Sequence, residues 1–271
     1  MTGAALTVSV VIPTHNSSTT IVRALDSIAR QTQAVHEVII VDDASNDGTL
    51  DVMREYAAQS PLPIVVERLE QNLGPGATRN TGWDRATGDL VAFLDADDAW
   101  HPRKVESQVS VMTAHPNVVM TCHAHRFDID GEWRDVTDRE PITSHDLADF
   151  LVKNRCATPT VMLRRTIAER FTTEHHHAED YLLWMRITAA HGPCLKIDAP
   201  LTHCANPAFG GGGLSGDLVS MERAELAAFR VLWRESSIGV TRLIGASVWS
   251  SAKFLIRIVD RKLIPIRSRR R

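Results

Sequence analysis

Three groups of carboxylates are spaced so that they could do chemistry. Asp95, Asp97 and Asp98 follow the apolar run Val-Ala-Phe-Leu, Asp42 and Asp43 follow Val-Ile-Ile-Val, and Glu179 and Asp180 open a later segment. Three carboxylates within four residues repel one another unless a cation is present. Oxygen donors of this kind suit Mg2+ or Mn2+, which favour sites that share a few carboxylates with a substrate's phosphates. Residues 95–98 therefore point to a nucleotide-diphosphate ligand. Asp42 and Asp43 have a second reading, as caps of the helix or turn that follows. Glu179 and Asp180 have one too, because acids at a helix start interact favourably with its dipole.

These groups need elements to hold them. Residues 7–12 form a β-rich run closed by Pro13, and 37–42, 64–69 and 90–94 read as further strands. Ile21, Leu25 and Ile28 recur at helical spacing, with Asn16 or Ser17 available as N-cap. Residues 47–59 and 74–86 read as helices, the first with Leu50, Met53 and Ala57 on one face. Continuous apolar strands separated by helices imply a mainly parallel sheet covered on both faces. Ligands of such sheets bind beyond the carboxyl ends of the strands, where the first two acidic groups fall. The second half is less regular. Residues 101–115, 147–152 and 179–190 read as helices, 118–121 as a strand and 128–131 as a hairpin turn. Gly210 to Gly213 form a run suited to a mobile loop.

Four stretches occur in order: Val8-Ser-Val-Val-Ile-Pro-Thr-His-Asn16, Val41-Asp-Asp-Ala-Ser-Asn-Asp-Gly-Thr49, Asn72-Leu-Gly-Pro-Gly-Ala-Thr-Arg-Asn-Thr-Gly82 and Phe93-Leu-Asp-Ala-Asp-Asp98. Together they resemble the family 2 glycosyltransferases, inverting enzymes with a GT-A fold that use nucleotide-sugar donors. The likeness is dense over residues 7–110. Glu179-Asp180-Tyr-Leu-Leu-Trp184 resembles the family's later acidic helix start, which bears the general base. The resemblance implies an α/β, Rossmann-like fold with a mainly parallel central sheet flanked by helices. Residues 1–220 would be the catalytic domain, 1–115 its nucleotide-sugar half and 116–220 its acceptor half, followed by a basic helical extension over 221–271.

The roles it implies can be placed residue by residue. Pro13, Thr14 and Asn16 would line the nucleotide pocket. Asp43, with Asp42 beside it, would accept a hydrogen bond from the base, the imino N–H of a uracil. Arg79 would sit near the base or phosphates, and Asn80 would support the loop. Asp95 and Asp97 would form the D-x-D motif, Asp95 on ribose or sugar hydroxyls and Asp97 on Mn2+ or Mg2+, with Asp98 as a second metal contact. Asp180, rather than Glu179, would deprotonate the acceptor hydroxyl. An inverting transfer needs one such base and no covalent intermediate.

Other residues have two readings each. Gly210-Gly-Gly-Gly-Leu-Ser-Gly216 is a lid over donor and acceptor, with Gly211 and Gly212 at its middle, or a plain connector. His203 precedes it, where related enzymes place a polar group near the diphosphate. His175, His176 and His177 suit an acceptor-facing loop better than one metal, since neighbours on an extended chain point to alternate sides. His123 and His125 are expected to be structural. Gly74-Pro-Gly-Ala-Thr-Arg79 lacks the third glycine of a dinucleotide fingerprint and does not follow the first strand.

Composition excludes several classes. With 44% hydrophobic and 23% charged residues among 271, wholesale disorder is ruled out. Net charge is −3, which argues against a nucleic-acid binder built on bulk positive charge. The charge is unevenly placed: residues 221–271 hold 12 Lys+Arg against 4 Asp+Glu, a net +8, and the first 220 hold 18 against 29, a net −11. In that tail Leu243, Ser247, Ser251, Phe254 or Leu255, Ile258 and Leu263 lie near one helical stripe, with Arg242, Lys253, Arg257, Arg261 and Lys262 around it. Such a helix, followed by Arg267-Ser-Arg-Arg-Arg271, can lie on an anionic membrane face or pack on the domain. No apolar stretch in the tail approaches the ~20 residues of a spanning helix, and residues 1–6 do not read as a signal peptide. Cys122, Cys156, Cys194 and Cys204 show no C-x-x-C spacing and are expected to be reduced, buried hydrophobes of a cytoplasmic protein, peripheral on the inner membrane face if the tail binds there. The partners expected are a nucleotide-sugar, a UDP-sugar first, and a glycan or lipid-linked acceptor. A nucleotidyltransferase is disfavoured because Thr14-His-Asn-Ser-Ser has neither Lys nor Gly, and a non-catalytic nucleotide-sugar scaffold is the remaining alternative.

Overall fold

Strand β1 (Val8–Thr14) pairs in parallel with β2 (Glu37–Asp42) on one side and β4 (Leu90–Phe93) on the other, and β2 pairs in parallel with β3 (Ile64–Arg68). The computed structural model describes residues 5–129, 131–173, 178–205 and 218–263. Side chains of these strands alternate between two cores. Val10, Ile12, Val38, Ile40 and Ala92 join the cluster beneath α1 (Ile21–Ala29), α2 (Thr49–Gln59) and α4 (Lys104–Ala114). Val11, Ile39, Val41, Val91 and Phe93 join the cluster on the opposite face, with α3 (Pro75–Arg85), α6 (Glu179–His191) and α7 (Leu218–Arg234). Burial on both faces is why these strands read as unbroken apolar runs. Each fully buried Val, Leu or Ile contributes roughly 1.5–3 kcal/mol.

Beyond β4 the sheet changes character. β8 (Met162–Arg164) runs antiparallel to β4, and β6 (Met120–Arg126) antiparallel to β8. β9 (Cys194–His203) is parallel to β6, and β5 (Ala99–Trp100) and β7 (Ile142–His145) are antiparallel to β9. The nine strands run β3-β2-β1-β4-β8-β6-β9-β5, with β7 also on β9. Pro13 lies inside β1 rather than closing it. β6 begins later than residue 118 and continues to Arg126, and β5, β7 and β8 are strands that periodicity did not mark. They are two to four residues long, and β7, Ile-Thr-Ser-His, is largely exposed. Helix α5 (Leu147–Val152) matches its expected span and carries a capping box between Asp146 and Asp149.

The tail is two helices. α7 starts before residue 221 and buries Phe229 and Leu232 completely, in the same core as Tyr181 of α6. α8 (Val240–Leu263) packs through Ala246 and Ser250, and the Ser250 hydroxyl donates to Glu222 of α7 at 3.0 Å. Lys253 donates to the Val152 carbonyl at 2.7 Å and to Glu225 at 3.1 Å. The stripe of Leu243, Ser247, Ser251, Phe254 and Ile258 is therefore half-buried against the protein rather than free. Exposed apolar side chains of α8 include Val240, Ile244, Val248, Trp249, Leu255 and Ile256, each at least half exposed. No helix among the described residues is long and apolar enough to cross a membrane. The arginines at 267–271 lie outside the described residues.

Candidate active site

The site gathers at the carboxyl ends of β1, β2 and β4. Thr14 ends β1 almost fully buried, its hydroxyl 3.3 Å from the Val41 carbonyl, and Pro13 is half-buried beside it. Asn16 holds a left-handed backbone (φ 51°) and accepts a hydrogen bond from the Asn46 N–H at 3.0 Å, which ties the two strand-end loops together. Asp42 is fully buried and turned inward. It accepts from the Ser45 N–H at 3.3 Å and faces Arg68 Nε at 3.5 Å. Asp43 accepts from the N–H groups of Leu73 and Gly74 at 2.7 and 2.8 Å. Two charge-assisted bonds of this kind clamp the glycine-rich turn onto β2.

That turn launches α3, which lies unusually close to the sheet. A Cβ on Gly82 would stand 2.4 Å from Val11 Cγ1, so only glycine fits there. One turn earlier, the nearly buried Arg79 reaches over the end of β4. Its Nη2 donates to Asp95 Oδ1 at 2.7 Å and its Nη1 to Glu179 Oε1 at 3.4 Å. Its guanidinium lies 5.4 Å from the Phe171 ring centroid. Asn80 exchanges two hydrogen bonds with the Phe171 backbone, at 2.8 and 3.0 Å. A Cβ on Gly76 would meet the Thr172 carbonyl at 2.7 Å. These contacts dock the segment before α6 onto α3 and so bring Glu179 and Asp180 to the end of β4. Burial alone would lower the Arg79 pKa, but Asp95 and Glu179 outweigh it and raise the value, so the cation is firmly held.

The loop after β4 carries a surplus of negative charge. Arg23 of α1 donates to the Asp97 carbonyl at 2.8 Å and fixes the loop's path. Asp98 is buried and accepts from the Ala205 N–H at 2.9 Å. Burial, then repulsion from Asp95 and Asp97, pushes its carboxyl up to about 8. Arg79 neutralises Asp95 and no guanidinium or ammonium bonds Asp98 among the described residues. A divalent cation at Asp97 and Asp98 would remove the repulsion, so this donor set fits Mg2+ or Mn2+.

Across the site, Ala178 takes a left-handed conformation (φ 58°) and aims the first turn of α6 inward. Burial, and then its neighbour Asp180, raises Glu179 to about 7 against the pull of Arg79. Burial raises Asp180 as well, again opposed by Arg79. Asp180 accepts from its own helix at the Tyr181 N–H (2.6 Å) and from the Thr158 hydroxyl (3.2 Å). A carboxylate with a raised pKa is a stronger proton acceptor near neutral pH.

Other candidates fall elsewhere. His203 is buried in β9 and stacks on Trp133, with ring centroids 3.7 Å apart, and burial lowers its pKa. His123 is fully buried and donates from Nδ1 to the Ala124 carbonyl at 2.8 Å. His125 lies edge-on to Phe127 at 5.0 Å. Gly211, Gly212 and the three histidines at 175–177 lie outside the described residues. Sequence reading missed Arg23, Thr158, Phe171 and Trp133. None has a local signal, since each acts through a contact at least 20 residues away in sequence.

Comparison with known proteins bears on the family and the fold. The family model described as Glycosyl transferase family 2 matches residues 9–172. The amylovoran biosynthesis glycosyltransferase AmsE of Erwinia amylovora is 32% identical over 178 residues, covering 65% of this chain and 66% of that protein. The UDP-Glc:alpha-D-GlcNAc-diphosphoundecaprenol beta-1,3-glucosyltransferase WfgD of Escherichia coli is 31% identical over 182 residues, 66% of this chain and 69% of that one. The chain thus spans about two thirds of the length of such relatives. Among solved structures, the mannosyltransferase PcManGT of Pyrobaculum calidifontis, in complex with GDP-Man and Mn2+, has a TM-score of 0.70 at 20% identity, covering 95% of this chain and 76% of that one. That likeness carries the fold, a mostly parallel sheet flanked by helices of the GT-A kind. With the family match spanning more than half the chain, this chain belongs to glycosyltransferase family 2.

Proposed function

We propose that the chain is a metal-dependent inverting glycosyltransferase that moves a hexosyl group from a UDP-sugar to an acceptor hydroxyl of a surface polysaccharide or lipid-linked glycan. The observation that supports this reading is the Arg79 bridge, which holds Asp95 and Glu179 on one guanidinium with Asp180 beside Glu179. Asp180 takes the proton of the acceptor hydroxyl. The acceptor oxygen bonds the anomeric carbon from the face opposite the diphosphate, and the carbon–oxygen bond to the diphosphate breaks, so configuration inverts in one step. Asp43 and the loops after β1 and β2 hold the nucleotide, and Asp95 holds ribose or sugar hydroxyls. Asp97 and Asp98 would hold Mn2+ or Mg2+, which offsets the charge that develops on the departing diphosphate.

The named substrates of the relatives support the donor and acceptor classes: one acts with UDP-Glc on a diphosphoundecaprenol-linked sugar and another serves amylovoran synthesis. The structural neighbour holding GDP-Man and Mn2+ supports the metal. The exposed apolar face of α8 supports peripheral contact with the inner face of the membrane, where a lipid-linked acceptor would sit.

Calorimetric titration with UDP, GDP and dTDP, each with and without Mn2+, tests the reading. UDP is expected to bind in a Mn2+-dependent manner. Asp180→Asn is expected to keep that binding and lose transfer by roughly 10²–10⁴-fold, the usual contribution of a general base. A folded protein that binds no nucleotide, or an Asp180→Asn variant with full turnover, would sink it.

A further inference from the structure

Cys122, Cys156 and Cys194 come from three separate elements and meet at one point. Cys122 lies in β6, Cys194 begins β9, and Cys156 sits in the segment after α5. The Cys194 sulfur is 3.7 Å from that of Cys122 and 3.9 Å from that of Cys156, and all three lie within 4.8 Å of one another. All three thiols are free and at most 3% exposed. Zinc–sulfur bonds of about 2.3 Å at tetrahedral angles require sulfur separations of about 3.8 Å. The separations of 3.7 and 3.9 Å bracket that value.

The surroundings fit a cation held by thiolates. Strand register puts the relevant side chains on one face of the sheet. Cys194 and Lys196 are two residues apart on β9, Cys122 pairs with Lys196, and His145 of β7 pairs with Cys194. Directly paired residues have their side chains side by side. His145 Nδ1 is buried and has no hydrogen-bond partner, with only the Asp149 carboxylate 3.5 Å away. Its strand pairing with Cys194 sets it at the edge of the cluster. Lys196 donates to the Arg155 carbonyl at 3.0 Å, which keeps its ammonium beside Cys156 and offsets thiolate charge. A core built only for packing would not need three convergent sulfurs, an imidazole nitrogen without a hydrogen bond and a half-buried ammonium in one place.

We propose that Cys122, Cys156 and Cys194 form a thiolate site for a soft closed-shell cation, zinc or monovalent copper, with His145 at its edge. Soft sulfur donors select such ions and reject Mg2+ and Mn2+, so this site is chemically separate from the carboxylates at 95–98. Binding exchanges the thiol protons for the metal and, in so enclosed a place, accompanies folding. The ion would pin β6, β9 and the 153–157 segment together beneath Thr158, the residue that bonds Asp180.

The test uses the full chain expressed with zinc and copper in the medium, purified without a polyhistidine tag and dialysed against EDTA. Elemental analysis is expected to return about one zinc or copper per chain, the two being told apart by the analysis itself. Cobalt refolded into the protein is expected to give an intense thiolate-to-cobalt band in the near ultraviolet, which neither His175, His176 and His177 nor the Asp cluster can produce. Cys122→Ser and Cys194→Ser are expected to lose metal and band together, while Asp97→Asn keeps both. Because a serine in the core can unfold the chain, the cobalt spectrum of the unsubstituted protein serves as a readout that needs no variant. A metal-free protein with three freely alkylated thiols, a disulfide among them, or a cobalt form without the thiolate band would each overturn the proposal.

Discussion

The acids after β2 and the acids after β4 look alike in sequence and behave differently in the fold. Asp42 and Asp43 are buried, yet their charge is answered by fixed backbone N–H groups and by Arg68. After β4, Arg79 pairs with Asp95, whereas Asp98, crowded by burial and by Asp95 and Asp97, is driven up to about 8. A carboxylate that accepts two or three backbone hydrogen bonds is stabilised in its charged form, whereas one crowded by its own kind is not. The first pair are clamps for a loop. In the second group the crowding raises Asp98, which is the property the proposed metal site draws on.

The largest test of this contrast removes Arg79. Arg79→Met leaves Asp95 and Glu179 facing each other across a buried gap. Stripping one partner from a buried ion pair typically costs 3–5 kcal/mol, and the lower end, about 3 kcal/mol, is expected because the Asp95 side chain is 29% exposed. Urea denaturation at pH 7.5 reads the loss, and a loss below about 1 kcal/mol would mean the bridge is decorative. The next test compares the two acid groups directly in metal-free protein. Asp43→Ala strands two N–H groups and should destabilise by about 1–3 kcal/mol. Asp98→Asn should do the opposite. A carboxyl raised in the folded state favours folding fully only below its unfolded pKa, 3.8, and loses that contribution as pH rises toward about 8. The amide escapes the loss, so the variant should gain on the order of 1 kcal/mol at pH 8. Adding Mn2+ should then stabilise the unsubstituted protein and not the variant. Equal destabilisation by both substitutions would erase the distinction.

How much of this was legible in the chain follows the same physics. β1, β2 and β4 were readable because burial on both faces leaves an apolar run with no alternation to misjudge. β7 and β8 were not, because four and three residues carry no period and their partners, β9 and β4, are distant in sequence. The acids at 95–98 and 179–180 were readable from type and spacing, but Arg79 was expected near the base or phosphates. Its partners lie 16 and 100 residues away, a separation that no local pattern encodes. α8 shows the sharpest limit. Its amphipathic period was plain, yet the half-polar stripe with Ser247 and Ser251 faces inward because Glu222 accepts from Ser250 and Ser251. Hydropathy alone would turn the helix the other way.

The smallest effect concerns which acid of α6 sets the pH response. Glu179 sits at about 7 and Asp180 is raised beside it, so the two titrate as a pair. The role proposed for Asp180 requires its carboxylate, and a raised pKa means that form is lost as pH falls. The acid limb of kcat/KM is therefore expected above the ordinary carboxylate range. Glu179→Gln removes one negative charge next to Asp180 and frees Arg79 to oppose protonation of what remains. The limb should move down by about one unit, roughly 1.4 kcal/mol of interaction, with little loss of rate on the alkaline plateau. A plateau that collapses instead would make Glu179 the base and Asp180 its neighbour. An unmoved limb would assign the titration to the Asp95–Asp98 cluster, which a Mn2+ dependence of its midpoint would reveal.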